Sequence, residues 1–182
     1  MRAAVPDLLA IEPMRRRHIR AVRAIDRQVY ASRWSARLYL DELRRRRDRV
    51  YRIGRYGSRL VGYGGAILVH DEAHVTSVAV DPSVQGQGVA ARLLASVHRA
   101  AIDRGAAAMT LEVRVSNQRA QRLYRRFGYA PAGVRRNYYV DGSGDKEHAL
   151  VMWCHDVDGG DHQERLASVE DAFAEVTDWG PM

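Results

Sequence analysis

The chain of 182 residues carries one cysteine, one lysine and no apolar run long enough to span a bilayer. With Cys154 alone, an internal disulfide and a cysteine-rich metal site are excluded, and a reducing compartment fits. The histidines stand at no metal-ligand spacing, so no metal is expected. A membrane-spanning helix needs about 20 consecutive apolar residues, which the chain lacks. Met1 to Ala10 is too short and too interrupted for a secretory core. These absences predict a cytoplasmic protein without a membrane partner. The length suits one domain with a sizeable core.

Arginine, with lysine nearly absent, supplies almost all of the positive charge. The formal net charge is +7 and is unevenly spread. Residues 156–182 hold eight acids against Arg165 alone, a balance of −7, so residues 1–155 carry +14. Such a body attracts polyanions, a phosphorylated cofactor and a ribosome among them. Arginines on solvated helix faces explain the same composition without a partner, and the two readings weigh evenly. The division expected is a domain over 1–155 and an acidic tail over 156–182 containing a short helix.

The stretch Ser77 to Leu94 organises the rest. Val78, Ala79 and Val80 end an apolar strand, and Asp81-Pro82-Ser83 stops it. Gly86 and Gly88 allow close backbone approach. From Val89 the apolar spacing turns helical through Leu93, Val97 and Ala101. A glycine loop feeding a helix start presents unpaired N–H groups at the positive end of the helix dipole, which is an anion site. The loop lacks the Lys-Ser/Thr of a P-loop and the three-glycine dinucleotide spacing. What stands there is Gln85-x-x-Gly88-x-Ala90.

In chain order, strand Leu8–Pro13 precedes helix Met14–Tyr30, loop 32–35 and a helix from Ala36 to Arg46 capped by Ser35. Strands Val50–Tyr56 and Leu60–Val69 form a hairpin across Gly57-Ser58. The three glycines of the second suggest a bulge or a close ligand. Strand His74–Val80 leads through the loop to a helix ending at Gly105. Then come strand Ala108–Val115, helix Gln118–Phe127, strand Tyr129–Tyr139 and strand Glu147–Cys154. A last helix over 162–178 places Leu166, Val169, Phe173 and Val176 on one face. This order predicts an α+β fold: a mixed, mainly antiparallel sheet with helices on both faces.

Three further stretches are distinctive: Leu111-Glu-Val-Arg-Val-Ser-Asn117 leading to Ala120 and Tyr124, then Arg135-Arg-Asn-Tyr-Tyr139, then Lys146-Glu-His-Ala149. With the Gln85–Ala90 loop they resemble the GNAT N-acetyltransferase superfamily, and within it the Rim-type ribosomal-protein alanine N-acetyltransferases. The resemblance covers residues 10–154, and the order of elements is that of the GNAT fold. It implies acetyl-CoA as co-substrate. The backbone of Val78, Ala79 and Val80 would pair with the pantetheine arm, as a strand added to a sheet edge. Amides of Gln85, Gly86, Gln87, Gly88, Val89 and Ala90 would hold the pyrophosphate. Asn117 would bond the arm.

Attack of an amine on a thioester needs the neutral amine. A protein α-amino group has a pKa of about 7.7–8.0, so a mild base suffices. Glu112 suits that role, directly or through a water. The plainer reading pairs it with Arg114, two residues on along the strand. Tyr124 is the candidate acid for the departing thiolate; the plainer reading is a core aromatic. By the same resemblance Tyr138, Tyr139 and Glu147 meet the substrate, and Trp34 in the 32–35 loop either touches it or plugs a helix gap. His148 stands where the branch usually has aspartate, and the acidic tail has no counterpart.

The expected activity is direct acetyl transfer to a protein N-terminus, best the alanine of a small-subunit ribosomal protein, by a monomer or weak homodimer. One rival is the same fold acting on lysine side chains or a small-molecule amine. A remoter rival is a ribosomal-RNA-binding module with an idle cofactor fold. No RNA-stacking aromatics accompany the arginines, so no direct nucleic-acid partner is expected.

Overall fold

The computed structural model describes residues 8–31 and 34–180. The expectations for the extreme N-terminus and for the first half of loop 32–35 lie outside the described residues. The elements follow the expected order up to the last helix, which ends at Ala172 and not at 178; Thr177–Asp178 beyond it is a strand the sequence did not announce. Strand β1 (Leu9–Pro13) leads through a 3-10 turn at Arg16–His18 to α1 (Ile19–Val29), then α2 (Ala36–Arg44). Strands β2 (Arg49–Tyr56), β3 (Arg59–Val69) and β4 (Glu72–Val80) follow, then α3 (Val89–Ile102) and β5 (Ala108–Arg114). The chain continues through α4 (Gln118–Arg126), β6 (Ala130–Val140), β7 (Lys146–Cys154), α5 (Gly160–Ala172) and β8 (Thr177–Asp178).

Local chemistry sets the ends. Ser35 caps α2 by accepting the Leu38 N–H at 3.1 Å. Gly105 and Gly128 take positive φ just past α3 and α4. There the N–H groups of Ala106 and Tyr129 reach back to the carbonyls of Ala101 and Tyr124, closing both helices in the Schellman manner.

The eight strands run β6-β7-β5-β4-β3-β2-β1-β8. Neighbours are antiparallel except β4 with β5 and β1 with β8. Residue parity separates the two faces. Tyr51 and Ile53 of β2 pack with Ile19, Val22 and Ile25 of α1 and Tyr39 of α2. Val50 packs with α3 on the opposite face. There, Leu166 and Val169 of α5 join Phe127, Met152 and the α3 side chains in one core. The tail helix therefore docks on the body.

The glycines of β3 serve packing, not a ligand. A Cβ on Gly62 would lie 2.9 Å from both the Ala79 carbonyl and Leu93, and one on Gly65 would enter the ring of Tyr51. The register does shift, as a bulge, between Gly65 and Ala66.

The feature that positions the site is a parting of strands. β4 and β5 pair only where Glu72–His74 faces Ala108–Thr110. Beyond that, β5 stays with β7 while β4 stays with β3. The C-terminal half of β4, Ser77 to Val80, thus has an edge without a β5 partner. A wedge between two strands leaves main-chain groups free for an extended ligand.

Candidate active site

A cleft of about 500 Å³ opens at this wedge. Its walls are Val78, Ala79 and Val80, the loop residues Gln85, Gly86 and Gly88, the α3 residues Val89 and Ala90, and Asn117 and Tyr124 across from them. The sequence-derived cofactor residues are thereby brought together. Gln87 is the exception: it lines a separate pocket behind the loop, with Phe173 and Arg92.

Gly86 and Gly88 have φ of +90° and +76°, conformations costly for any residue with a Cβ. A Cβ on Gly86 would meet only Arg119, at 3.9 Å. A Cβ on Gly88 would enter the ring of Phe173. The space left by the missing Gly88 side chain is filled by the tail. The Gln85 amide donates to the Val80 carbonyl at 3.2 Å, and its oxygen accepts from Arg119 at 3.0 Å. It braces strand end to α4. Asn117 caps α4 by accepting the Ala120 N–H at 3.0 Å.

Tyr124 is buried, with its ring edge-on to Tyr129 at 5.7 Å. Burial, then the neighbouring Tyr139, pushes its hydroxyl pKa well up. Glu112 does not pair with Arg114. Its carboxylate, 5% exposed, lies 2.9 Å from His74 Nε2 and 3.1 Å from Arg135. Arg114 instead bonds Glu147 at 2.9 Å, and the Ser116 N–H donates to the same carboxylate at 2.8 Å. Hydrogen bonds from Ser116, then Arg114, hold the Glu147 carboxyl down at about 2.

Tyr139 lies beside Glu112. Its hydroxyl donates to the Glu112 carbonyl at 3.0 Å, and the Arg114 guanidinium covers its ring at 4.4 Å. Burial, then the charges of Tyr138 and Glu112, pushes it up to about 12. Tyr138 is 46% exposed on the arm, under Arg135. Trp34 lies against Tyr39, ring centroids 5.3 Å apart, packed onto the α1–α2 core.

Several site residues were not read from the sequence. Tyr30 donates to the Val78 carbonyl at 3.4 Å, and burial raises its hydroxyl pKa. Arg119, Arg122 and Arg126 line the cleft. Their spacing of three and four places them on one face of α4, a signal available in the sequence. His74 and Arg135 had no such signal, because they reach Glu112 from β4 and β6. The cleft suits a phosphorylated thioester: apolar along β4 and cationic along α4, with the α3 start between. A larger cavity of about 790 Å³ lies at the opposite end of the sheet. Among the described residues seven arginines line it, and Glu42, bonded to Arg49 at 2.6 Å, is the one lining acid.

An eight-stranded mixed sheet parted at a parallel pair, with a glycine loop feeding a helix beside the gap, is the fold of the GNAT acetyltransferases. Residues 19–129 match the acetyltransferase (GNAT) family, and the chain belongs to it. A Bacillus subtilis (strain 168) protein, provisionally named a [ribosomal protein bS18]-alanine N-acetyltransferase, is 35% identical over 144 residues. That match covers 79% of this chain and 93% of the relative. The [ribosomal protein bS18]-alanine N-acetyltransferase of Escherichia coli (strain K12) is 42% identical over 85 residues, 47% of this chain and 57% of its own length. The crystal structure of the ribosomal-protein-S18-alanine N-acetyltransferase from Escherichia coli superposes with a TM-score of 0.74 at 29% identity. It covers 82% of this chain and 94% of that one. No described helix is long and apolar enough to cross a membrane.

Proposed function

We propose that this chain moves the acetyl group of acetyl-CoA onto a protein N-terminal α-amino group, best the alanine of a small-subunit ribosomal protein. The observation that carries the reading is the parting of β4 from β5, which sets the glycine loop, the start of α3, Asn117 and Tyr124 around one cleft. The relatives' activity supports the substrate class. The transfer is direct, within a ternary complex. Cys154 is buried against Phe127 and His162, and burial raises its thiol to about 11. That leaves it a poor nucleophile.

The Gly86–Ala90 amides and the α4 arginines hold the phosphates, and the free edge of β4 holds the pantetheine. Glu112 takes the amine proton. A carboxylate oxygen has two lone pairs, so His74 and Arg135 leave room on each for a water or the amine. The neutral amine attacks the thioester carbon, the C–N bond forms and the C–S bond breaks. Tyr124 gives its proton to the departing sulfur, and the second proton, shed by the nitrogen as it becomes an amide, returns through water to restore the tyrosine. A raised hydroxyl pKa keeps it protonated until the thiolate develops. Tyr138, exposed on the β6–β7 arm, meets the incoming N-terminus. Glu147 contributes by fixing Arg114 over Tyr139.

The test compares acetylation of an Ala-starting peptide, its N-blocked form and a free polyamine. The reading expects turnover of the first alone. Turnover of the polyamine alone would remove the protein N-terminus as substrate. Retained turnover of the blocked peptide would point to a lysine side chain.

A further inference from the structure

Arg92 sits on α3 one turn inside its start, and it is 2% exposed. Buried charges are ordinarily paired with an opposite charge. Arg92 has no carboxylate partner among the described residues, although acids crowd the nearby tail. Its guanidinium donates instead to the Gln87 carbonyl at 2.9 Å, the Tyr56 hydroxyl at 3.1 Å, the Val176 carbonyl at 3.1 Å and the Thr177 hydroxyl at 3.1 Å. The Gly88 carbonyl accepts from its Nε at 3.5 Å. Its flat face lies 4.9 Å from the centre of the Phe173 ring, and that ring fills the space where a Gly88 side chain would stand.

We infer that Arg92, held by Phe173 to Thr177, is a brace that aims the Gly88 and Val89 amides at the cofactor's phosphates and couples their binding to docking of the C-terminal segment. This rests on the acetyl-CoA reading of the cleft. In a planar trans peptide the C=O and the next N–H point in opposite directions. The Gln87 carbonyl turns back toward Arg92, so the Gly88 N–H turns away from it. The same holds for the Gly88 carbonyl and the Val89 N–H. Gly88 and Val89 line the cleft, whereas Arg92 and Phe173 line the pocket behind the loop. The two amides are thereby fixed toward the cleft before a ligand arrives. The guanidinium also leaves an uncancelled positive charge behind them, where water screens it little.

Coupling between sites is reciprocal. A docked tail that tightens cofactor binding is itself tightened by the cofactor. The probe is CoA, titrated into the full chain by calorimetry, with Arg92→Gln and Phe173→Ala beside the parent. Each variant should weaken CoA roughly 5- to 100-fold, the usual span of such couplings. KM for acetyl-CoA should rise in step while KM for the peptide and kcat at saturation hold. A merely structural role would move all of these together. In the parent, hydrogen exchange at amides 173–178 should slow on adding CoA, a readout needing no variant. Parental CoA affinity in folded variants, together with exchange indifferent to CoA, overturns the inference alone. A parent that binds no CoA overturns the acetyl-CoA reading and the inference with it.

Discussion

Glu112 and Tyr124 perform different proton work, and pH separates them. Glu112→Gln should slow single-turnover acetyl transfer by roughly 10²–10⁴, the usual share of a general base. That deficit should shrink above the amine pKa of about 8, where the substrate is already neutral. Tyr124→Phe keeps the ring packed on Tyr129 and removes only the donor, so raising the pH should not restore it. If both variants react like the parent, Glu112 reverts to an ion-pair residue of His74 and Arg135, and Tyr124 to core. The sequence made both residues legible through their surrounding stretches, yet it offered Glu112 the wrong partner. Arg114 is two residues along the same strand, but its charge goes to Glu147, 33 residues away on β7. Local spacing names the residues sharing a strand face. Which strand lies alongside is decided by tertiary pairing.

Glycine shows the same limit at the scale of elements. The turn and helix-end glycines were readable because positive φ is a local demand. Gly88 also answers to Phe173, 85 positions on, and nothing near Gly88 announces it. Gly88→Val should therefore be destabilised twice, by backbone strain of about 1–2 kcal/mol and by overpacking of about 1–3 kcal/mol. Adding Phe173→Ala relieves only the second. Without cofactor, the double variant should melt above Gly88→Val and below Phe173→Ala. Additive melting losses would mean that the two positions do not touch. Gly65→Ala gives a second case, since its Cβ would enter the Tyr51 ring. Tyr51 is held by its hydrogen bond to Glu42 at 3.0 Å and cannot step aside freely. A loss of about 1–3 kcal/mol is expected by urea denaturation, and a neutral Gly65→Ala would show that the ring moves.

At the scale of the whole molecule, the apolar face of the last helix was legible in the sequence, but what that face packs on was not. Leu166 and Val169 pack into the core, and Glu170 grips Arg99 through two bonds of 2.8 and 2.7 Å. Between them runs a buried polar chain. The Tyr129 hydroxyl bonds His98 Nε2 at 3.1 Å, His98 Nδ1 bonds His162 Nε2 at 2.9 Å, and His162 Nδ1 faces the Cys154 sulfur at 3.8 Å. In either direction the chain runs through neutral imidazoles. Burial first, then Arg165 and Arg99, lowers His162 to about 4, and burial with His162 alongside lowers His98 well below its usual value. The unfolded chain binds protons on these histidines at higher pH than the folded one. Their contribution to stability is thus complete above about pH 6.5 and is lost as pH falls toward 4. For His162 alone it amounts to about 3 kcal/mol. Glu147 titrates lower, its contribution fading only from about pH 4.5 toward 2, so the windows barely overlap. The urea midpoint should fall between pH 7 and 4.5, and exchange at α5 amides should quicken before exchange at β2 and β3, because His162 belongs to the tail. His162→Asn removes one titrating group, so it should lower stability at pH 7 and flatten that pH slope. A parent whose urea midpoint is level from pH 7 to 4.5, or a His162→Asn slope as steep as the parent's, would show that the histidine chain does not hold α5 to the body.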